Sequence, residues 1–329
     1  MKLLWLDLNS SYAHSSLALP ALHAQIADDT TIEWCIVSAT INENTGMVVS
    51  RIHKHRPDII AATNWLFNHE QLLHIISRAK ALLPHCCIVL GGPEFLGNNE
   101  AFLYKNKFVS GVFRGEGEEV FPQWLKVWNH SKETWKSITG LCYLDENGRY
   151  QDNGIARVMN FSQLVSPEKS CFFNWSKPFV QLETTRGCFN TCAFCVSGGE
   201  KPVRTIPLEA IRERLNDIHQ HGIKNVRVLD RTFNYNNKRA KELLDLFRQY
   251  PDICFHLEIH PALLSEELKQ ELSVLPKGLL HLEAGIQSLK ESVLQQSRRI
   301  GKLSDALEGL KYLCSLKNME THADLIAGL

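Results

Sequence analysis

Short apolar runs alternate with stretches whose apolar residues recur at helical spacing through the first 130 positions. Lys2–Leu8, Glu33–Ser38, Asp58–Thr63, Cys86–Leu90 and Phe108–Phe113 read as strands. Leu17–Ile26, Met47–His55 and His69–Leu83 read as helices, and another opens within Arg114–Trp124. Strands alternating with helices predict a doubly wound parallel sheet. Such sheets bind ligands beyond the carboxyl ends of their strands. Four polar or Gly-rich loops fall there: Asn9–Ser16, Asn64–Phe67, Gly91–Glu94 and Gly115–Glu118. Glycine lets a backbone approach a large ligand, but a tight strand-to-helix turn accounts for it equally well.

The pattern changes at residues 131–175. Ile138–Leu144 and Ile155–Met159 flank Asp145-Glu-Asn-Gly148, which predicts an antiparallel hairpin in a linker. From residue 176 strand–helix units return. Phe179–Glu183, Asn225–Asp230, Cys254–His260, Leu279–Gly285 and Glu320–Ile326 are the strands. Pro207–Gln220, Lys238–Arg248, Ser265–Leu272 and Asp305–Leu316 are the helices. This half predicts a partial (β/α) barrel, whose functional residues lie at the carboxyl ends of strands. Polar residues there include Glu183, Asp230, Glu258, Glu283, Gln287 and Asp324.

Composition narrows the picture. Lys plus Arg and Asp plus Glu are both 36, so no electrostatic footprint for nucleic acid is present. No stretch reaches the roughly 18 apolar residues of a membrane span. The apolar N-terminus is too short for a signal-peptide core. The 10 cysteines in 329 residues are too dilute for a disulfide scaffold and predict a reducing, cytoplasmic setting. Cys142 and Cys171 lack metal-ligand spacing and read as structural or exposed thiols.

The strongest chemical signal is Cys188-x3-Cys192-x2-Cys195, just after the strand Phe179–Glu183 and a Gly-containing turn. A compact loop of this kind can aim three thiolates at one centre, which suits an iron–sulfur cluster with one iron open to a ligand. The alternatives are a zinc site completed by a histidine, or three unrelated thiols. Zinc sites usually pair two knuckles or add a nearby H-x3–5-H, and neither follows Cys195 closely.

This loop, with Phe194 just before the third cysteine, resembles that of the radical S-adenosylmethionine (SAM) superfamily. The resemblance implies a 4Fe-4S cluster held by Cys188, Cys192 and Cys195, with SAM chelating the open iron. One electron would then cleave SAM to a 5′-deoxyadenosyl radical. Asp230-x-x-Phe-Asn234, Glu258 within Leu-Glu-Ile-His260, Gly285-x-Gln287-Ser288 and Asp324–Leu329 look like successive barrel-strand motifs of that superfamily. By that similarity Glu258, Gln287 and Ser288 line the ribose and methionine part of SAM. Ile326 and Gly328 approach the adenine, and Phe194 packs on it. Asp230 joins the set through its motif.

With a radical SAM loop downstream, the first 130 residues resemble the domain of cobalamin-binding radical SAM proteins. The closest likeness is to an uncharacterised subgroup matching Tyr12-Ala-His14-Ser15-Ser16-Leu17. The implied cobalamin contacts are Asn9, Ser10, Tyr12, Ser15, Ser16, Asn64, Trp65, Gly91, Gly92, Pro93, Glu94, Gly115, Glu116 and Gly117. The D-x-H-x-x-G motif is missing, so cobalamin is expected without a histidine ligand, and His14 reads as a loop residue.

The implied organisation is a Rossmann-like cobalamin domain (1–130), a hairpin linker (131–175) and a radical SAM partial barrel (176–329). The family pattern continues past Gly-Leu into another strand, so the chain reads as truncated after its fifth barrel strand. The implied function is methylation of an unactivated carbon. Rearrangement, cyclisation or sulfur insertion, or an inactive cofactor-binding protein, remain as alternatives. The implied partners are a small-molecule or peptide substrate and an electron donor such as flavodoxin or ferredoxin. No general base stands out.

Overall fold

The structure, a computed structural model, describes residues 1–14, 16–197 and 200–329. Met1–Asn174 and Trp175–Leu329 form two compact units. In the first, β1 (Lys2–Asn9), α1 (Ala18–Ala24), β2 (Glu33–Thr40), α2 (Thr45–His55) and β3 (Ile59–Thr63) are followed by α3 (His69–Leu82) and β4 (Cys87–Gly91). Then come α4 (Glu100–Lys105), β5 (Gly111–Phe113), α5 (Val120–Leu125), β6 (Leu141–Leu144) and β7 (Tyr150–Asp152).

The sheet order is β2-β1-β3-β4-β5-β6-β7. Its first five strands are parallel, and β6 and β7 pair antiparallel. Order 2-1-3-4-5 puts the topological switch between β1 and β3. Alternate side chains of β1 enter opposite layers. Leu4, Leu6 and Leu8 pack with Val48, Ile52 and Ile75, while Leu3 and Trp5 pack with Phe121 and Trp124. Burial of each such side chain contributes about 1.5–3 kcal/mol. Asn44 caps α2 by accepting the Met47 N–H, and the left-handed Arg56 ends it.

The expected linker hairpin differs from the one observed. Its second strand is Tyr150–Asp152, not Ile155–Met159, and the pair extends the first unit's sheet. Gly154 turns the chain at φ 83°, after which Ala156 exchanges backbone hydrogen bonds with Arg114 and Glu116 at 2.9 and 3.0 Å. Cys142 is fully buried and Cys171 exposed.

The second unit contains β8 (Val180–Leu182), β9 (Thr185–Arg186), β10 (Arg204–Thr205), α6 (Leu208–Gln220), β11 (Asn225–Val228) and α7 (Asn237–Phe247). It continues through β12 (Cys254–Ile259), α8 (Glu266–Ser273), β13 (Leu280–Gln287), α9 (Glu291–Gln296), α10 (Leu303–Ser315) and β14 (Glu320–Leu325). The parallel sheet runs β14-β13-β12-β11-β8, the order of successive barrel strands. Phe255, Leu257, Leu280 and Leu282 are buried, and Phe255 stacks on Phe247 of α7 at 4.0 Å between centroids. Period-two alternation therefore puts His256, Glu258, His281 and Glu283 on the opposite face.

Candidate cofactor sites

The cysteine loop is anchored at both ends. β9 and β10 pair antiparallel, Arg204 with Arg186 and Thr205 with Thr185, and so bracket it. The Cys188 N–H donates to the Glu200 carbonyl at 3.0 Å, and Cys195 N–H to the Cys192 carbonyl at 3.1 Å. Ala193 N–H donates to Ser297, and the buried Asn190 accepts the Ile300 N–H at 3.1 Å. Gly187 sits at φ 92°, where a Cβ would lie 2.5 Å from the Glu200 carbonyl oxygen. Only glycine suits that entry.

Cys188 and Cys192 are buried and Cys195 is exposed, all three as free thiols. Burial pushes the Cys188 thiol up, and the neighbouring Cys195 and Cys192 sulfurs push the same way. Two buried thiols and one facing solvent on one short loop form a donor set whose chemistry fits a cluster with an open side. Phe194 is 36% exposed beside them.

Asp230, expected among the SAM contacts, is engaged by the strand end that precedes the cysteine loop. Its carboxylate accepts the Thr184 and Thr185 N–H groups at 2.8 and 2.9 Å and the Thr184 hydroxyl. These bonds occupy both oxygens and tie the end of β11 to the elbow that launches the cysteine loop. Burial nonetheless pushes its carboxyl up. Asn234 makes a similar clamp on the backbone of His260 at 2.8 and 2.9 Å.

On the open face, burial and then Glu283 push Glu258 up to about 7. The β13–β14 ladder shifts register between Gly285 and Gln287, and Gln287 lies at φ 71°. A non-glycine residue held there costs about 1–3 kcal/mol, a strain that clusters at ligand sites. The Gln287 carbonyl accepts the Ile326 N–H at 2.9 Å, which brings these two candidates together. Ser288 follows directly, and Ile326 is 39% exposed.

In the first unit, the loops after β1 and β3 flank the switch point. Asn68 joins them by donating to Leu8 and Thr63 carbonyls at 2.9 and 3.1 Å and accepting the Trp65 N–H. Sequence reasoning missed Asn68; its position before α3 was the available signal. Asn64 is fully buried, and its Oδ1 has no hydrogen-bond partner among the described residues. An orphaned acceptor at a switch point fits a ligand that donates.

Gly92 lies at φ 112°, with a would-be Cβ 2.5 Å from the Asn64 carbonyl oxygen. Gly91 accepts the Asn64 N–H at 2.7 Å, while Pro93 and Glu94 form a 3-10 turn. Trp65 stacks on Phe67 near an exposed Leu66.

The remaining candidates are more diverse. Asn9 donates to Asp7 at 2.8 Å, and Ser10 follows at the end of β1. Tyr12 is exposed and reaches Glu43 at 3.3 Å. Ser16 accepts the Ala18 N–H, and His14 is bonded to Ser11. Ser15 lies outside the described residues. Gly115 and Glu116 turn onto Ala156 and Val158, whose N–H donates to the Glu116 carboxylate at 2.7 Å. Gly117 faces Leu22. Their local geometry is explained by packing within the unit.

Residues 182–329 match the radical SAM superfamily, and residues 8–125 match the B12 binding domain. The chain carries a B12 binding domain followed by a radical SAM domain. The cofactors of its two domains are a 4Fe-4S cluster with SAM, and cobalamin.

An uncharacterised methyltransferase of Pyrococcus horikoshii is 29% identical over 201 residues, 58% of this chain and 43% of the relative. The hopanoid C-3 methylase of Methylococcus capsulatus is 24% identical over 275 residues, 79% of this chain and 51% of the relative. The solved cobalamin-dependent SAM radical enzyme OxsB, with aqua-cobalamin and SAM bound, superposes with TM-score 0.78. That match covers 98% of this chain and 49% of OxsB at 17% identity, a likeness of fold. This B12-binding radical SAM chain thus spans about half the length of these relatives.

Proposed function

We propose that the protein is a cobalamin-dependent radical SAM methyltransferase that methylates an unactivated carbon. Its substrate is a small molecule or peptide, its setting the cytoplasm, and its electron source a flavodoxin or ferredoxin. The observation that supports this most is the presence of both cofactor domains in one chain whose relatives include named methyltransferases. No helix among the described residues is long and apolar enough to cross a membrane.

When bound, the cluster with SAM supplies a carbon-centred radical and cobalamin supplies the methyl group. The chain's own residues hold and orient. Cys188, Cys192 and Cys195 would ligate three irons, and Asp230 fixes the loop that carries them. Gln287, Ser288 and Ile326 would align SAM along the strand ends of β13 and β14. Asn64 would offer its unpaired Oδ1 to a donor on cobalamin.

The test is anaerobic turnover with methyl-deuterated SAM and reductant over a metabolite extract from the source cell. The proposal expects a product bearing the intact deuterated methyl group, absent with Cys192→Ala. SAM cleavage to 5′-deoxyadenosine with products that carry no label would replace methyl transfer by rearrangement or cyclisation.

A further inference from the structure

The open face of the second unit's sheet carries a group of side chains that the cofactor assignment leaves unused. His256 on β12, Glu283 on β13 and His322 on β14 place one ligand atom each within 4.8 Å of one another. His256 Nε2 lies 2.9 Å from Glu283 Oε2, and His322 Nε2 lies 3.6 Å from the same oxygen. The strand register creates this convergence: His256 pairs with His281, and Glu283 pairs with His322. His256 and Glu283 share one face because the pleat alternates them with the buried Leu257 and Leu282, and His322 joins that face by pairing with Glu283.

We propose that His256, Glu283 and His322 form a second metal site for a divalent first-row ion such as Zn2+, separate from the three-cysteine loop. Two imidazoles and one carboxylate are the ligand set of open zinc sites and of non-haem iron sites. Ligands at 2.0–2.2 Å from a tetrahedral ion stand about 3.4 Å apart, between the two separations of 2.9 and 3.6 Å that Glu283 makes with the imidazoles. The two imidazoles, within 4.8 Å of each other, would have to close on the ion by side-chain movement.

Outer partners are also in place. His281 Nε2 lies 2.9 Å from His322 Nδ1, which leaves His322 Nε2 as the ligating nitrogen. A metal-bound histidine characteristically fixes its ring through the other nitrogen in this way. Asp324, two residues along β14 from His322, lies close enough to Glu283 to interact with its carboxylate. The side chains of His256, Glu283 and His322 are 14%, 31% and 44% exposed, so the site is firmly held on one side and open on the other. Such a site leaves a coordination position for water or for an oxygen or nitrogen of a substrate.

The test uses the full chain with its iron–sulfur cluster reconstituted, so that the cysteines are occupied. Zn2+ is added anaerobically, excess is removed, and bound zinc is measured together with its X-ray absorption edge. The proposal expects one zinc per chain with a nitrogen and oxygen shell at about 2.0–2.2 Å. Glu283→Gln and His322→Ala should each weaken zinc binding about tenfold or more while iron content stays unchanged. His281→Gln should weaken it about 10–100-fold through the outer shell. A sulfur shell near 2.3 Å, no retained zinc, or zinc binding indifferent to Glu283→Gln overturns the site. Unchanged iron content and circular dichroism identify variants that have kept their fold.

Discussion

Two buried titratable residues of the second unit sit in opposite environments, one rich in hydrogen-bond donors and one without them among the described residues. Asp230 keeps its carboxylate saturated with donors from Thr184 and Thr185. Asp230→Asn replaces one acceptor oxygen by an amide that faces donors, and should cost about 1–3 kcal/mol. Urea melts of the cluster-free chain check this figure, and iron incorporation should fall in parallel because the loop's elbow loosens.

His260 is buried, and neither ring nitrogen has a well-formed hydrogen bond among the described residues. Burial, and then the Arg299 charge, lower it to about 4. Below the ordinary value near 6.5, the unfolded chain takes up a proton that the folded chain refuses until about pH 4. Stability therefore falls as pH drops through that window, by up to about 3 kcal/mol, and is insensitive to this group above it. Denaturant midpoints at pH 7 and pH 5 should diverge more for the native chain than for His260→Gln. Equal divergence would remove His260 as the cause.

At the scale of elements, the loops depend on backbone conformations that only particular residues accept. Gly187→Ala would force a Cβ against the Glu200 and Pro202 carbonyl oxygens at 2.5 and 2.8 Å. A strain of about 1–3 kcal/mol follows. With all three cysteines intact, this variant should still bind less iron than the native chain under identical reconstitution. Gly92→Ala should likewise reduce cobalamin retention without changing iron, because its clash is with Asn64 at the switch point.

The strand–helix alternation was legible because each long element carries its own period and its own stop. Met47–His55 lacked only Thr45 and Gly46 of α2, and Gly222 marks the end beyond α6. The six-residue α4 and α9 were not foreseen, since so short a helix is set by tertiary packing rather than by its own pattern. The two-residue β9–β10 staple was invisible for a related reason. Its partners are 18 and 20 residues apart, and pairing of that kind leaves no local signature.

The cysteine motif was read from spacing alone, whereas the clamps of Asp230 and Asn68 depend on contacts 46 and 60 residues apart. The His256–Glu283–His322 group illustrates the same limit. β12 and β13 show polar residues alternating with apolar ones, but β14 does not, and only the register between the three strands places the group together.

For the whole molecule, the account rests on two cofactor-binding units in one chain. The central test is anaerobic reconstitution with iron, sulfide and hydroxocobalamin, read by metal analysis, absorption and EPR with and without SAM. The account predicts about four irons per chain, one retained cobalamin, and an EPR signal that shifts when SAM is added. It further predicts that Cys188→Ala abolishes the iron signal but not cobalamin retention. Zinc on the three thiols with no cluster, or a cluster indifferent to SAM, would contradict it.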